Sequence, residues 1–237
     1  MKFKILPIAG DASFRTFYRL ALNKSSKIIV LAKKEKYQNL VAYSSINKFL
    51  NNNKILTPKL YAHNYPKGII IIENFGDLSF YKNRLKKKNK LPIYRKLVDL
   101  LLKIQKIKPK IKIKNINNGS HIIDKYSNKY LFKESNLFFD WYLPLFLNKK
   151  KVSNIKKRTN KILSKLYKKL NFSNSHFVHR DYHAQNLMKV GKKIGVIDSQ
   201  DALIGNPAYD LVSLIDDVRI KTSIKLKNQI YSYYLKK

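Results

Sequence analysis

Residues 177–188 read FVHRDYHAQNLM, and ten residues further on a second apolar run, GVI, ends in Asp198. Between them lies MKVGKK, in which Gly191 supplies the turn of a β-hairpin over 188–199. A chain folded this way carries Asp181, Asn186 and Asp198 at the mouths of two neighbouring buried runs. Carboxylates in such places point into a cleft more often than into a core. The spacing therefore asks for a fold with a crevice, and for chemistry in which two carboxylates and a carboxamide converge.

The acids are conspicuous because the chain has so few. It holds 50 Lys plus Arg against 14 Asp plus Glu, a net charge of +36, yet six of the 14 acids fall between 181 and 217. At the chain average a window of that length would hold about two. Asp210 reads as an N-cap for LVSLIDDVR, and Asp216–Asp217 as exposed helix charge. Asp181 and Asp198 have no such local reason. With no Cys in the 237 residues, disulfides and thiolate metal sites are excluded, and oxygen ligands suit a hard cation such as Mg²⁺. An Asp and an Asn supply two oxygens and leave room for phosphate and water, the arrangement phosphoryl transfer needs. The competing reading of Asp181, a buried ion pair with Arg180, does not account for Asn186 and Asp198.

The large positive charge raises the question of a nucleic-acid partner. Only seven of the 50 basic residues are Arg, and the Lys runs at 84–90, 106–114 and 148–158 are scattered and lack regular aromatic interleaving. Lys binds phosphate as a point charge without the bidentate fork of Arg, so solvated surface is the favoured reading. The first residues, MKFKILPIAGDASF, make a poor signal peptide, and no stretch approaches the ~18 apolar residues a membrane span requires. A cytoplasmic protein without a membrane partner is expected.

Along the chain, 3–8 and 14–20 flank Gly10-Asp11-Ala12-Ser13 as a hairpin, and 27–32 is a third strand. Residues 38–53 have helical apolar spacing, and 59–62 and 68–76 return to strand. The unbroken Ile69–Ile72 run suggests a strand covered on both faces. After Gly76 the pattern is helical over 96–107, over 122–147 up to Pro144, and over 159–170. The expected class is α+β, with a small β-rich lobe (1–76) and a larger, mainly helical lobe (77–237).

H-R-D-Y-H-A-Q-N followed by V-I-D resembles the catalytic and metal-binding loops of the aminoglycoside phosphotransferase/choline kinase branch of the bilobal protein-kinase-like fold. AGDASFRTFYRL, IIIIENFGD, ESNLFFDWYLP and IDSQDALIGNPAYDLVSLIDD, in that order, are similar to the bacterial N-acetylmuramate/N-acetylglucosamine anomeric sugar kinases. The resemblance implies an ATP- and Mg²⁺-dependent kinase acting on a small-molecule amino sugar. Asp181 would be the catalytic base, and Asn186 and Asp198 the metal ligands. Gly10, Asp11, Ala12 and Ser13 would turn over the phosphates, with Lys33 or Lys34 anchoring them. Glu73 to Phe75 would be the hinge beside adenine. Glu134, Asp140, Trp141, Gln200 and Asp201 would face the acceptor.

Three departures accompany the resemblance. Ser199 stands where an aromatic residue is usual. Kinase-like folds pair a strand Lys with a helix Glu, yet the helix over 38–50 contains no Glu. Relatives continue into further helices beyond the end of this chain. Two other functions fit the same motifs: an aminoglycoside- or choline-type phosphotransferase, and a catalytically dead, basic nucleic-acid-binding relative.

Overall fold

The computed structural model describes residues 3–8, 15–23, 25–33, 37–80, 89–116, 118–170 and 173–237. Its first part is an antiparallel sheet of β1 (Lys4–Ile8), β2 (Arg15–Ala21), β3 (Ser26–Ala32), β4 (Leu60–Asn64) and β5 (Ile69–Glu73), in the order β1-β2-β3-β5-β4. The predicted turn at 10–13 lies outside the described residues, although the strands on either side of it pair with each other.

Side chains directly opposite each other in an antiparallel pair share a face. In the register Arg15↔Ala32, Phe17↔Val30 and Arg19↔Ile28, the odd residues of β2 therefore stand with the even residues of β3. Gly68 makes the end of β3 possible. It has φ +67°, and a Cβ there would lie 2.1 Å from the Ala32 carbonyl oxygen. The Ile69–Ile72 run is not buried on both faces as expected. Ile70 and Ile72 are buried and Ile69 and Ile71 half-buried, because a single helix covers one side of this sheet.

That helix, α1 (Gln38–Asn52), buries every residue from Leu40 to Asn47. It is enclosed because it serves two cores. Leu40, Val41 and Tyr43 pack with Val30, Ile70 and Ile72 of the sheet. Ile46 and Leu50 pack with α2 (Leu91–Gln105), whose Tyr94, Leu97, Leu101 and Ile104 form the centre of the second part.

The second part continues through the ribbon β6 (Lys112–Lys114) and β7 (Ser120–Ile122) and then α3 (Asn128–Leu137). Instead of running unbroken to Pro144, α3 widens into a π-helical turn at Phe138–Tyr142 and closes in a 3₁₀ turn containing Pro144. Next come α4 (Lys149–Lys168), β8 (His176–Val178), the hairpin β9 (Leu187–Val190)–β10 (Lys193–Val196), β11 (Leu203–Gly205), α5 (Ala208–Ile215) and α6 (Ile224–Leu235). The Lys run at 148–158 is the first half of α4.

The two parts meet where Phe75 lies against Gly195. A Cβ on that glycine would sit 2.5 Å from the Phe75 ring, so a larger residue would have to push the ring aside. The amides of Lys189 and Val196 donate to the carbonyls of Leu78 and Leu56, each at 2.8 Å, and fasten the hairpin to the preceding segment.

Candidate active site

β8 delivers the chain to a loop whose backbone is fixed from below. His179 is fully buried, and its N–H and that of Arg180 donate to the two carboxylate oxygens of Asp210 at 2.7 and 2.9 Å. Asp210 is therefore not the N-cap of α5, a position Pro207 occupies. It lies in the first turn of α5, is buried, and reaches down to the loop. Burial pushes its carboxyl up to about 7, against the opposing pull of the two N–H donors. Arg180 adopts φ +74°, a left-handed conformation that costs about 1–3 kcal/mol outside glycine. Its guanidinium is held by Glu134 of α3 at 2.7 Å. The next anchor is Tyr182, fully buried, whose hydroxyl donates to the Leu97 carbonyl of α2 at 2.8 Å.

Between these anchors Asp181 is half-buried. Burial is the largest influence on it and, with the negative charges of Asp198 and Asp201, raises its pKa to about 6; Arg180 and Arg219 pull the other way. The Asn186 amide donates from Nδ2 to the Asp181 carbonyl at 3.1 Å, which makes Oδ1 the atom left to meet a cation. The Asn186 carbonyl in turn accepts from Ile197 N–H at 3.0 Å, one residue before Asp198. Asp198 itself has φ +66°. Asp181, Asn186 and Asp198 are thus linked through backbone and charge.

Asn186 and Asp198 line a cleft of about 280 Å³ together with Glu73, Phe75 and Tyr43. A larger groove of about 1000 Å³ lies elsewhere, between α2 and the β9–β10 hairpin, and contains none of the three residues. The smaller cleft holds two of the three, Asn186 and Asp198. Among the described residues no cluster of three His, Cys, Asp or Glu could hold a metal. The donor set of one carboxylate and one carboxamide fits a hard cation that takes its remaining oxygens from phosphate and water.

The other predicted residues are dispersed around this centre. Glu73 lines the cleft, but its N–H donates to Lys59 carbonyl at 2.8 Å and its carboxylate accepts from Lys59 N–H at 3.2 Å. Gln200 donates to Asp201 at 3.0 Å, and Asp201 is close enough to Asp181 to act on its charge. Lys33 is exposed just past the end of β3. Glu134 is bonded to Arg180 and to the Tyr126 hydroxyl, and Asp140 to Lys156. Trp141 is 75% exposed. Gly10, Asp11, Ala12 and Ser13 lie outside the described residues.

Sequence reasoning missed three participants. Arg15 donates to Asp198 at 2.6 Å and to Gln200 at 3.0 Å. Ser199, fully buried, donates to the Asn47 side-chain oxygen of α1 at 2.7 Å. Tyr43 is buried beside Arg15 and Asp198. The signal for Arg15 was its position: it opens β2 on the face that carries Phe17.

A strand-rich first part, a helical second part and a loop carrying Asp and Asn ahead of a hairpin and a second Asp define a protein-kinase-like phosphotransferase fold. The family model of the phosphotransferase enzymes termed APH matches residues 4–235, and the chain belongs to that family. Among its relatives, the N-acetylmuramate/N-acetylglucosamine kinase of Neisseria meningitidis is 23% identical over 219 residues, covering 92% of this chain and 63% of that protein. The protein of the same name from Pseudomonas aeruginosa is 26% identical over 214 residues, covering 90% and 60%. The chain thus spans about three-fifths of the length of these relatives. Of solved structures, ADP-bound aminoglycoside phosphotransferase APH(2'')-Ib superposes with a TM-score of 0.67 at 17% identity, covering 99% of this chain and 78% of that one. Choline kinase LicA from Streptococcus pneumoniae superposes with a TM-score of 0.64 at 15% identity, covering 98% and 74%. These likenesses establish the fold. No helix among the described residues is long and apolar enough to cross a membrane.

Proposed function

We propose that the chain transfers the terminal phosphoryl group of ATP to a hydroxyl of an amino sugar, with Mg²⁺ as the ion. The preferred acceptor is N-acetylmuramate or N-acetylglucosamine at its anomeric hydroxyl. The observation that carries the reading is that Asn186 and Asp198 line one cleft while Asn186 is hydrogen-bonded to the backbone of Asp181 and of Ile197, the residue before Asp198. In this scheme the acceptor oxygen forms its bond to phosphorus as the bond to the ADP oxygen breaks, and the acceptor proton passes to the Asp181 carboxylate. Asn186 and Asp198 would hold the ion, which supplies charge neutralisation at the phosphates when bound. Residues 1–76 provide the nucleotide side of the cleft and 77–237 the catalytic loop and acceptor side, with Gly10 to Ser13 turning over the phosphates. Pairing with the base edge falls to the segment after Glu73, whose own N–H is committed to Lys59. A cytoplasmic setting, where ATP is available, follows from the nucleotide requirement.

The acceptor follows from charge. Aminoglycosides are polycations and need carboxylates to spare. Here Glu134 and Asp140 are already paired with Arg180 and Lys156, leaving Asp201 beside Asp181. At +36 the protein favours an anionic or neutral sugar, in keeping with the names of the relatives. Incubation with ATP, Mg²⁺ and each acceptor in turn, with the product read by NMR, tests the proposal. Turnover of the amino sugars with phosphate on the anomeric carbon is expected. Turnover of kanamycin or choline with none of the amino sugars would overturn the acceptor, and RNA binding that survives Asp181→Ala in a protein without kinase activity would overturn the enzyme.

A further inference from the structure

We propose that Arg15 of β2 is the residue this chain sets against the phosphates of its nucleotide, in place of a strand lysine braced by a helix glutamate. The inference rests on the nucleotide-dependent reading above. The strand alternation is the first observation. Ile28 and Val30 line the cleft, and with Ala32 they are the even residues of β3, so the odd register that the exposed Lys33 continues leads away from it, while Lys34 lies outside the described residues. Arg15 is paired with Ala32 and shares the cleft face with Phe17 and Arg19. The methyl side chain of Ala32 leaves space beside it for the long one of Arg15.

The second observation is where the guanidinium goes. Its side chain is only 9% exposed and lies over the Phe17 ring, 5.6 Å from the centroid. From there one nitrogen reaches Asp198 at 2.6 Å and the other Gln200 at 3.0 Å. The third is the helix. α1 contains no acid, and the side chain it presents beside Arg15 and Asp198 is Tyr43. A lysine there would have no acid of α1 to brace it, whereas the planar fork of Arg15 is held by stacking on Phe17 and by its hydrogen bonds to Asp198 and Gln200.

These contacts set the Arg15 cation on the carboxylate that the proposed ion would also use. When nucleotide and ion arrive together, Asp198 turns to the ion and the Arg15 fork turns to phosphate oxygens. The exchange gives Arg15 two effects of opposite sign, which a merely structural residue would not have. Removing it weakens nucleotide binding and frees Asp198 to take a divalent ion without nucleotide.

Calorimetry with Mg²⁺·ATP, and Mn²⁺ binding followed by electron paramagnetic resonance without nucleotide, read both effects. The variants are Arg15→Met, Arg15→Lys, Lys33→Ala and Lys34→Ala, each checked by thermal melting. Arg15→Met is expected to lose about 10–100-fold in nucleotide affinity, as for a charge-assisted hydrogen-bond pair, and to bind Mn²⁺ more tightly than the wild type. Arg15→Lys is expected to recover part of the nucleotide affinity. The inference is overturned if Arg15→Met binds nucleotide within threefold of the wild type, if either lysine variant loses more, or if Mn²⁺ affinity falls together with nucleotide affinity. A wild-type protein that binds no nucleotide would overturn the function proposed above, and this inference with it.

Discussion

The loop that carries Asp181 and the contacts that reach it from other elements are built by different means. The loop is local: Asp181, Tyr182 and Asn186 lie within six residues, and Asn186 closes back on the Asp181 carbonyl. The contacts are assembled from afar. Arg15 meets Asp198 across 183 positions, and Ser199 meets Asn47 across 152. A chain can keep a short motif intact while rebuilding the contacts that reach it from other elements. In this chain the loop keeps Asp181, Asn186 and Asp198 at short spacing, whereas the helix over 38–50 carries no Glu and position 199 is Ser.

The largest effect is expected on the loop side. Asp181→Asn keeps the shape of the side chain and removes its capacity to accept a proton, so kcat should fall about 10²–10⁴-fold. With the carboxyl raised to about 6, wild-type kcat/KM should decline below that pH as the base is protonated. The linkage has the opposite sign from that of a salt-bridged aspartate. As pH rises from 3.8 to about 6 the unfolded chain releases this proton while the folded protein keeps it, so stability falls over that window. Above it the folded state carries the full cost of a half-buried charge. Asp181→Asn should therefore be more stable than the wild type at pH 8, on the order of 1–2 kcal/mol after solvent screening, with no gain at pH 3.5. Denaturant titrations at the two pH values check it. Equal stability at both would show that the charge is better solvated than its position implies.

Asp210→Asn comes next and tests the support beneath the loop. The amide can accept from one of the two N–H groups of His179 and Arg180, and it turns a donor toward the other. A loss of about 2–4 kcal/mol is expected for this buried site, measured as a shift in the denaturant midpoint at constant slope. The Arg180 backbone, held at positive φ, should relax, so kcat should fall as well even though Asp210 touches no substrate. An unchanged kcat in a folded variant would show that Asp181 is placed without it.

How much of this was legible follows from the same division. HRDYHAQN and VID announce a cleft because apolar runs ending in carboxylates are written in consecutive residues. The strands of the first part were legible from alternation and from the Ile run. What escaped was whatever depends on which elements come to lie side by side. Asp210 reads as a cap in isolation, and only the packing of α5 under the loop gives its carboxylate two other donors. The aromatic stretch 122–147 looks like one helix up to Pro144 because periodicity does not reveal that the helix starts only at Asn128 and that Phe138–Tyr142 widens into a π turn. Arg15 sits in the quoted motif AGDASFR, but its aim depends on the register with β3. The sequence likewise marked Ser199 as a departure without offering the partner that explains it.

That partner sets up the smallest and most discriminating prediction. Ser199 follows the Asp that would hold the ion, is buried, and donates to Asn47, whose carbonyl accepts from the Thr57 hydroxyl at 2.9 Å. The hydrogen bond ties the segment after β10 to α1, the helix shared by both cores. Ser199→Ala and Asn47→Ala should each destabilise the protein by about 1–2 kcal/mol, and the double variant should lose less than their sum, with a coupling of about 1 kcal/mol. Since both groups are neutral, this coupling should be nearly independent of salt, whereas the Arg15–Asp198 contact should weaken as salt rises. Additivity in the double variant would mean that α1 and the segment after β10 are positioned by apolar packing alone, and the difference between the two regions would then narrow to Arg15.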